Sequence, residues 1–326
     1  MAKILIVGGA GYIGSHMVMS LVLRGDSVFV LDNLSSGHLD AVWPGAEFIH
    51  GSLADRDLLT RLFNEHQFDA VMHFAACIEV GESVKHPSKY YHNNVEATLT
   101  LLDVMVAHGV NKFIFSSTAA VFGEPQYTPI DEAHPKQPVN PYGRSKWMVE
   151  QILQDFDHAY GLKSACLRYF NAAGAEPGGR LGERHDPETH LIPLVLQAAA
   201  GIRPDIKVFG QDYDTEDGTC IRDYIHVVDL CDAHALALDQ LLAGGECAQY
   251  NLGNGNGFSV RQVIETAQQV VGREIPMVNA PRRAGDPAVL IADSHRAKSV
   301  LGWQPQYDDL AVIIEHAWQY IRSQAG

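Results

Sequence analysis

The chain has 326 residues, a formal net charge of −15 and no low-complexity tract. Its length suffices for one large domain or two ordinary ones, and its composition is typical of a folded globular protein. Because 39 acidic residues outnumber 24 Lys and Arg residues and no basic block is present, nucleic acid is not expected as a partner.

The first predicted element is a short apolar strand, Ile4 to Val7. This run is too short for a secretion signal or a membrane span, which needs about 20 residues. The five cysteines are scattered and lack the CxxC spacing of zinc or redox sites, so we expect reduced thiols. We therefore expect a cytoplasmic protein with no membrane partner.

Short apolar runs then alternate with helical patterns. They are Ile4 to Val7, Ser27 to Leu31, Glu47 to His50, Ala70 to Phe74, Lys112 to Ser116 and Ser164 to Tyr169. Runs that are apolar throughout indicate strands buried on both faces, joined by right-handed βαβ crossovers. The pattern predicts an α/β fold with a Rossmann-type, doubly wound parallel sheet.

A loop rich in Gly and Pro, AAGAEPGGRLGERHDPETH, follows Asn171 and suggests a boundary. We expect a Rossmann domain over residues 1–170 and a smaller C-terminal α/β domain over 171–326. Residues 224–250 are expected to pack back on the first domain. Later helices are predicted at Leu230 to Leu242, Val260 to Val271 and Leu310 to Arg322.

The segment GGAGYIG follows the first strand and places Gly8, Gly11 and Gly14 three residues apart. In a dinucleotide-binding turn, one glycine permits the turn, one lets the backbone approach a pyrophosphate, and one lets helix and strand pack. The helix N-terminus then faces the phosphate charge. A glycine-rich turn without a ligand is the alternative.

The end of the second strand, VLDN, favours the dinucleotide. Asp32 lies eighteen residues after Gly14, near the roughly 20-residue spacing of a carboxylate that binds the adenosine ribose. Its charge repels the 2′-phosphate of NADP, and Asn33 adds no compensating cation. The pattern predicts NAD as the cofactor.

The candidate chemistry lies in YGRSK, where Tyr142 and Lys146 are four residues apart and share a helix face. The fifth strand ends in hydroxyl residues, including Thr118, at the edge where doubly wound sheets bind ligands. A phenol with its ordinary pKa of about 10 is a poor base at neutral pH, but charged Lys146 and the positive nicotinamide of NAD⁺ both favour its phenolate. Tyr142 is therefore the predicted general base.

These features together resemble the extended short-chain dehydrogenase/reductase family. Segments along nearly the whole chain are similar to the UDP-glucose 4-epimerases within it: HFAA, YYHNNVEAT, NPYGRSKWMVEQIL, LRYFNAAGA, TEDGTCIRDYIHVVDL, YNLGNGNGFSV and RRAGDPAVLIADS. The resemblance implies reversible C4 epimerisation of UDP-galactose and UDP-glucose through a 4-keto sugar, with tightly bound NAD. It also implies a homodimer formed through helices near residues 94–108 and 147–160.

The resemblance also implies a role for each site residue. The catalytic residues are Tyr142, Lys146 and Thr118. Cofactor contacts are implied, besides Tyr142 and Lys146, for Gly8, Gly11, Tyr12, Ile13, Gly14, Asp32, Asn33, Ser52, Leu53, Phe74, Ala75, Ala76, Asn94 and Tyr169. Substrate contacts are implied for Asn171, Arg222 and Arg283 at the diphosphate, Asp286 at the uridine ribose, Leu191 and Phe209 at the uracil, and Thr118 and Leu290 at the sugar.

Four positions depart from the family pattern. Thr118 replaces the usual serine, which keeps the hydroxyl. Ser52 stands where an aspartate commonly reaches the adenine, and Ile78 where some relatives carry a lysine near the phosphates. Leu290 is intermediate between the large residues of glucose/galactose enzymes and the small ones of N-acetyl-tolerant enzymes, which suggests a mainly UDP-glucose/UDP-galactose enzyme with limited N-acetyl tolerance.

Alternative functions remain open at this point. The same machinery would serve a 4-epimerase acting on UDP-glucuronate, a UDP-pentose or UDP-GlcNAc. A non-catalytic NAD-binding relative is less favoured because Tyr142 and Lys146 are both present. A 4,6-dehydratase is disfavoured because Ala119 and Ala120 follow Thr118 where an Asp-Glu pair is usual.

The sequence does not predict a metal site. His185 and His190 lie five residues apart beside acidic residues in RHDPETH. No HxxxH helix or third ligand is evident, so an ordinary loop is the better interpretation.

Overall fold

The computed structural model of the protein describes residues 1–283 and 285–324. The chain divides into two compact units. The first comprises Met1–Gly123, Pro135–Arg168 and Cys231–Tyr250, and the second comprises Glu124–His134, Tyr169–Leu230 and the chain from Asn251 onwards. Residues 124–134 therefore belong to the second unit although they precede residue 171. Residues 231–250 belong to the first unit although they follow it.

Thirteen strands occur in the described part of the chain. They are β1 Lys3–Val7, β2 Ser27–Asp32, β3 Glu47–His50, β4 Ala70–His73, β5 Lys112–Thr118, β6 Lys163–Tyr169, β7 Asn171–Ala173, β8 Ile206–Phe209, β9 Ile221–His226, β10 Ala248–Leu252, β11 Gly257–Ser259, β12 Met277–Ala280 and β13 Val289–Leu290. The six strands predicted from apolar runs correspond to β1 to β6.

The described residues also form ten α-helices. They are α1 Tyr12–Arg24, α2 Arg56–Glu65, α3 Val80–Lys85, α4 Pro87–Tyr91, α5 Ala97–Ala107, α6 Pro141–Tyr160, α7 Leu191–Ala199, α8 Val227–Leu242, α9 Val260–Val271 and α10 Leu310–Gln324. A π-helical turn, His92–Glu96, joins α4 to α5. Helices α8, α9 and α10 match the three predicted late helices to within a turn.

A seven-stranded sheet in the order β10-β6-β5-β4-β1-β2-β3 lies mainly in the first unit. β1 pairs in parallel with β2 and β4, β2 with β3, and β4 with β5. The strand order reverses at β1, and ligands of doubly wound sheets bind at this switch point, beyond the carboxyl ends of the strands. The predicted Rossmann-type fold is confirmed. Strand β10 was not predicted, because Gln249 and Asn251 interrupt its apolar pattern.

Helix α6 carries the predicted catalytic pair, and its ends are encoded locally. The Asn140 side chain accepts a hydrogen bond from the Gly143 N–H (2.8 Å), and Pro141 occupies the first turn. Gly161 ends the helix with a φ of 69°. Between these ends, Val149 and Leu153 belong to the buried core face. The helix is thereby anchored in the core.

The second unit has its own core. Helices α7, α9 and α10 contribute buried aliphatic side chains, including Val195, Ile264 and Ile313. Strand β9 pairs antiparallel with β11 and parallel with β7 and β13, and β8 pairs in parallel with β12. Ser259 caps α9 in a reciprocal arrangement with Gln262. These elements hold five of the predicted substrate residues, namely Asn171, Leu191, Phe209, Arg222 and Leu290.

The cysteines and the helices can be compared with the expectations of reduced thiols and of no membrane span. All five cysteines are free thiols, and Cys166, Cys220 and Cys231 are buried. Along the described ranges, none of the helices combines the length and the apolar character that crossing a membrane requires.

Candidate active site

The glycine-rich turn between β1 and α1 is packed too closely for other residues at two of its three positions. Gly8 has a φ of +79°, and a Cβ there would lie 2.5 Å from the Ala75 backbone nitrogen. A Cβ on Gly14 would lie 2.1 Å from the Gly8 carbonyl oxygen. At Gly11 the nearest atom is 3.5 Å away, so the backbone there is approachable. This turn at the N-terminus of α1 fits the pyrophosphate of a dinucleotide.

We expect Gly14→Ala to lower stability by about 1–3 kcal/mol, because the added methyl overlaps a carbonyl that cannot move freely. The variant should also lose bound NAD. Thermal unfolding and NAD extraction measure both effects. Gly81→Ala is the matched control, since Gly81 is also helical and a Cβ there meets no atom within 4 Å. Equal behaviour of the two variants would refute the packing argument.

Asp32 ends β2 as predicted and is buried. Its Oδ2 accepts a hydrogen bond from the Ala10 N–H (3.0 Å), and its Oδ1 accepts one from the Leu34 N–H (2.8 Å). The carboxylate thus links the glycine-rich turn to the turn after β2, where the Asn33 side chain is exposed. A negative charge is held at the carboxyl edge of the sheet.

The other predicted cofactor residues of the first unit follow strands or begin helices. Tyr12 and Ile13 open α1, Ser52 and Leu53 follow β3, and Phe74, Ala75 and Ala76 follow β4. Asn94 accepts a hydrogen bond from the Cys77 N–H (2.8 Å) and donates to the Ser145 hydroxyl (3.0 Å). It therefore ties the loop after β4 to helix α6. Tyr169, the last residue of β6, belongs to the second unit.

The structure brings the three predicted catalytic residues together in the first unit. Tyr142 lies in the first turn of α6 and forms a hydrogen bond with Thr118, which ends β5. Lys146, one turn later, is buried, and its Nζ donates to the Ser116 carbonyl oxygen (2.7 Å). The Lys146 Nζ also lies 4.8 Å from the centroid of the Phe115 ring. A phenol, a hydroxyl and an ammonium group are thus collected at the end of one strand.

Burial dominates the electrostatics of this cluster. It raises the pKa of Tyr142, and the hydrogen bond with Thr118 opposes that change. Burial lowers the pKa of Lys146 to about 7, against the attraction of Glu150. Burial and then the charge of Lys146 lower the pKa of His73 to about 3, so this imidazole is neutral. With a pKa of about 7, Lys146 is partly protonated at neutral pH.

A buried ion pair, missed in the sequence analysis, lies beside the cluster. Glu150 and Arg168 are 1% and 2% exposed, and the Arg168 Nε donates to Glu150 Oε1 at 3.0 Å. The Ser117 hydroxyl donates to the same oxygen at 2.6 Å. Glu150 lies four residues after Lys146 on α6, and this spacing was the one available signal. Its carboxylate supports the charged form of Lys146.

All the predicted substrate residues except Thr118 lie in the second unit, and four of them form two contacting pairs. Arg222 on β9 forms an ion pair with Asp286, and its Nη1 donates to the Ile221 carbonyl oxygen (2.7 Å). The Arg283 guanidinium carbon lies 4.0 Å from the centroid of the Phe209 ring.

The remaining three predicted substrate residues are half-buried. Asn171 begins β7, and Leu191 begins α7. Leu290 on β13 is the register partner of Arg222 on β9. The predicted substrate residues of the second unit are thus two arginines, one aspartate, one asparagine and three apolar residues, which are types suited to parts of a nucleotide sugar.

Comparison with known proteins places this geometry in a family. Residues 4–253 match the model of the NAD dependent epimerase/dehydratase family. The chain belongs to that family. A UDP-glucose 4-epimerase of Halalkalibacterium halodurans is 55% identical over 97% of this chain and 95% of its own length.

Solved structures of this epimerase/dehydratase family agree with the assignment. One UDP-glucose 4-epimerase structure has a TM-score of 0.97 and 53% identity, covering 99% of this chain and 98% of its own. The enzyme from Brucella ovis, in complex with NAD, has a TM-score of 0.95 and 46% identity over 98% of both chains. A UDP-Glc/GlcNAc 4-epimerase from Campylobacter jejuni has a TM-score of 0.87 and 46% identity, covering 99% of this chain and 100% of its own. The predicted epimerase class and NAD dependence are confirmed.

Proposed function

We propose that the enzyme interconverts UDP-galactose and UDP-glucose by inverting carbon 4 through a transient 4-keto sugar. The observation that carries the proposal is the Tyr142, Thr118 and Lys146 cluster in the same unit as the glycine-rich turn. The names of the relatives, UDP-glucose 4-epimerase, support this substrate.

In this proposal Tyr142 moves the proton at the sugar 4-hydroxyl, directly or through Thr118. Bound NAD⁺ supplies a hydride acceptor for carbon 4 and later a hydride donor. Lys146 lowers the cost of the Tyr142 phenolate while it is protonated. Asn94 and Glu150 hold α6 in position through their hydrogen bonds, and the charge of Glu150 favours protonated Lys146. No net redox change results, so NAD must stay bound through the cycle.

The glycine-rich turn would hold the pyrophosphate and Asp32 the adenosine ribose. The open backbone at Gly11 and the buried carboxylate at the strand end support these roles. The side chains of the loops after β3 and β4, with Tyr12, Ile13 and Asn33, would complete the cofactor site of the first unit.

We expect Asp32→Ala to reduce the preference for NAD over NADP by about tenfold or more, because a charge repelling the 2′-phosphate is lost. Dissociation constants for both dinucleotides on cofactor-stripped protein measure the ratio. Asp69→Ala is the matched control, because Asp69 also accepts a backbone hydrogen bond, from the Lys3 N–H (2.7 Å), but at the amino end of β1. An unchanged ratio in Asp32→Ala would assign discrimination to another residue.

In the second unit, Arg222, Arg283 and Asn171 would bind the diphosphate. Forked guanidinium donors match phosphate oxygens. Asp286 would bind the uridine ribose, while Leu191 and Phe209 would contact the uracil. The pairing of Arg222 with Asp286 and of Arg283 with Phe209 supports a common site within this unit.

A UDP-GlcNAc activity is the second candidate, favoured by the likeness to the Campylobacter jejuni UDP-Glc/GlcNAc enzyme. Leu290 is proposed to line the sugar pocket and to restrict N-acetylated substrates. We expect kcat/KM for UDP-GlcNAc to be about tenfold or more below that for UDP-glucose, since one poorly fitting group costs roughly 1–3 kcal/mol. Comparable values for the two substrates would show that Leu290 imposes no restriction.

A homodimer and a cytoplasmic location complete the proposal. Leu99 on α5 and Met148 on α6 are exposed apolar side chains on the two helices expected at the dimer interface. The five free thiols support a reducing compartment. Light scattering on the purified protein tests the dimer, and a monomer at all concentrations would contradict it.

The experiment that tests the function is incubation of the purified protein with UDP-galactose, without added cofactor. Chromatography resolves UDP-glucose, and denaturing extraction measures bound NAD. Conversion to a mixture of the two sugars supports the proposal. Failure to convert, on protein that binds NAD, would redirect the search to UDP-glucuronate, UDP-pentoses and UDP-GlcNAc. NAD binding with no turnover of any of these would support a non-catalytic relative.

A further inference from the structure

Four side chains in the loop between β7 and α7 form a compact cluster outside the sites described above. They are Glu183, His185, Glu188 and His190, and one donor atom from each lies within 4.8 Å of the others. His190 is the residue that immediately precedes α7. Only the two histidines were candidate ligands in the sequence, because their spacing does not show that the folded loop adds both carboxylates.

The four donor atoms belong to two carboxylates and two imidazoles, which alternate along the chain. His185 Nδ1 lies 2.9 Å from Glu183 Oε1 and 3.9 Å from Glu188 Oε2. His190 Nδ1 lies 2.7 Å from Glu183 Oε1 and 3.1 Å from Glu188 Oε1. A tetrahedral zinc ion with bonds of about 2.0–2.2 Å has ligand atoms about 3.3–3.6 Å apart. The observed His–Glu separations bracket that range, and all four donor atoms lie within 4.8 Å of one another, so the cluster has the dimensions of a metal site.

Burial and charge also suit a divalent cation. The Glu183 and Glu188 side chains are 6% and 5% exposed, although each is a carboxylate. Two carboxylates carry the charge that a divalent ion neutralises, and imidazole nitrogens favour transition metals over magnesium or calcium. Glu188 Oε1 also accepts hydrogen bonds from the Thr189 and His190 N–H groups (2.7 and 2.8 Å), which fix this carboxylate.

We propose that Glu183, His185, Glu188 and His190 bind one divalent transition metal ion of the zinc class. The ion would cross-link the loop to the start of α7, where Leu191 lies. Its role is to order this loop, and metal binding is measured without any turnover of substrate.

The test uses tag-free protein, treated with EDTA, reconstituted with zinc chloride and desalted. Elemental analysis should find about one zinc per chain in the wild type. His185→Asn and Glu188→Gln should each lower the retained zinc at least about tenfold, because each removes one of four ligands. His92→Asn should retain about one zinc per chain, since His92 pairs with Glu96 in an exposed contact outside the four-residue cluster.

A second measurement keeps the proposal testable even when a variant folds poorly. Zinc should raise the thermal midpoint of the wild-type and His92→Asn proteins, and cobalt in its place should give the intense visible absorption of a tetrahedral site. Retention of less than about a tenth of a zinc per chain by the wild type would overturn the proposal. Equal zinc retention by well-folded His185→Asn and wild-type proteins would do the same, because the ion would then lie elsewhere.

Discussion

Tyr142→Phe is expected to lower kcat for UDP-galactose by about 10²- to 10⁴-fold, the usual contribution of a positioned acid/base group. The change removes the hydroxyl that bonds to Thr118 and leaves the ring that packs in the first turn of α6. Stability and NAD content should therefore stay near wild-type values. Steady-state kinetics, with denaturing extraction of NAD, measures the three quantities together.

The matched control for this variant is Tyr127→Phe. The Tyr127 hydroxyl also donates a hydrogen bond, to Asp131 (2.7 Å), but the side chain is exposed and has no proposed catalytic role. The Tyr127→Phe variant should turn over UDP-galactose at the wild-type rate. Near-normal turnover by Tyr142→Phe would remove Tyr142 as the acid/base group and direct attention to Thr118.

Glu150→Gln is expected to destabilise the protein by about 3–5 kcal/mol, because it leaves the Arg168 cation buried without its countercharge. Both side chains are almost fully buried, and Glu150 also accepts from Ser117. Loss of the carboxylate also removes the attraction that supports protonated Lys146. Urea unfolding monitored by circular dichroism measures the change in stability.

Two further variants separate the buried charge from other effects. Glu246→Gln breaks the pair with Lys163, in which Glu246 is 79% exposed, and should cost about 1 kcal/mol or less. The double variant Glu150→Met/Arg168→Met should be more stable than Glu150→Gln, since it removes both buried charges. If Glu150→Gln and Glu246→Gln lowered the stability equally, burial of the Glu150–Arg168 pair would not be the cause of the loss.

The parts of the fold that were predicted correctly are those encoded by neighbouring residues. Strands β1 to β6 contain short apolar runs, the glycine-rich turn follows β1 directly, and Asp32 ends β2. Strand β10 was missed because its burial depends on β6, some eighty residues earlier, and not on an apolar pattern of its own.

The part of the candidate site that depends on the spacing of neighbouring residues could be predicted. Tyr142 and Lys146 share a helix face, and the structure places them beside Thr118 as expected. The partner of Glu150 could not be predicted, because Arg168 lies within the largely apolar strand β6 and meets the carboxylate only in the folded unit. The functional roles of all these residues remain predictions until the variants are measured.

The cluster of Glu183, His185, Glu188 and His190 could likewise not be predicted from local spacing. Two histidines were visible in the sequence, but the burial of Glu183 and Glu188 results from the path of the loop. Periodic patterns predict helices and strands, whereas a loop brings side chains together without a repeat. Only the folded loop could reveal four converging donors.

We expect carbon 4 of the sugar to give up and regain the same hydrogen on one enzyme molecule. The measurement uses UDP-galactose labelled with deuterium at carbon 4, the protein with its own bound NAD, and ordinary water. Nuclear magnetic resonance of the product should show UDP-glucose with deuterium retained at carbon 4. Replacement of the deuterium by hydrogen from water would contradict this expectation, because carbon 4 would then exchange a proton with solvent.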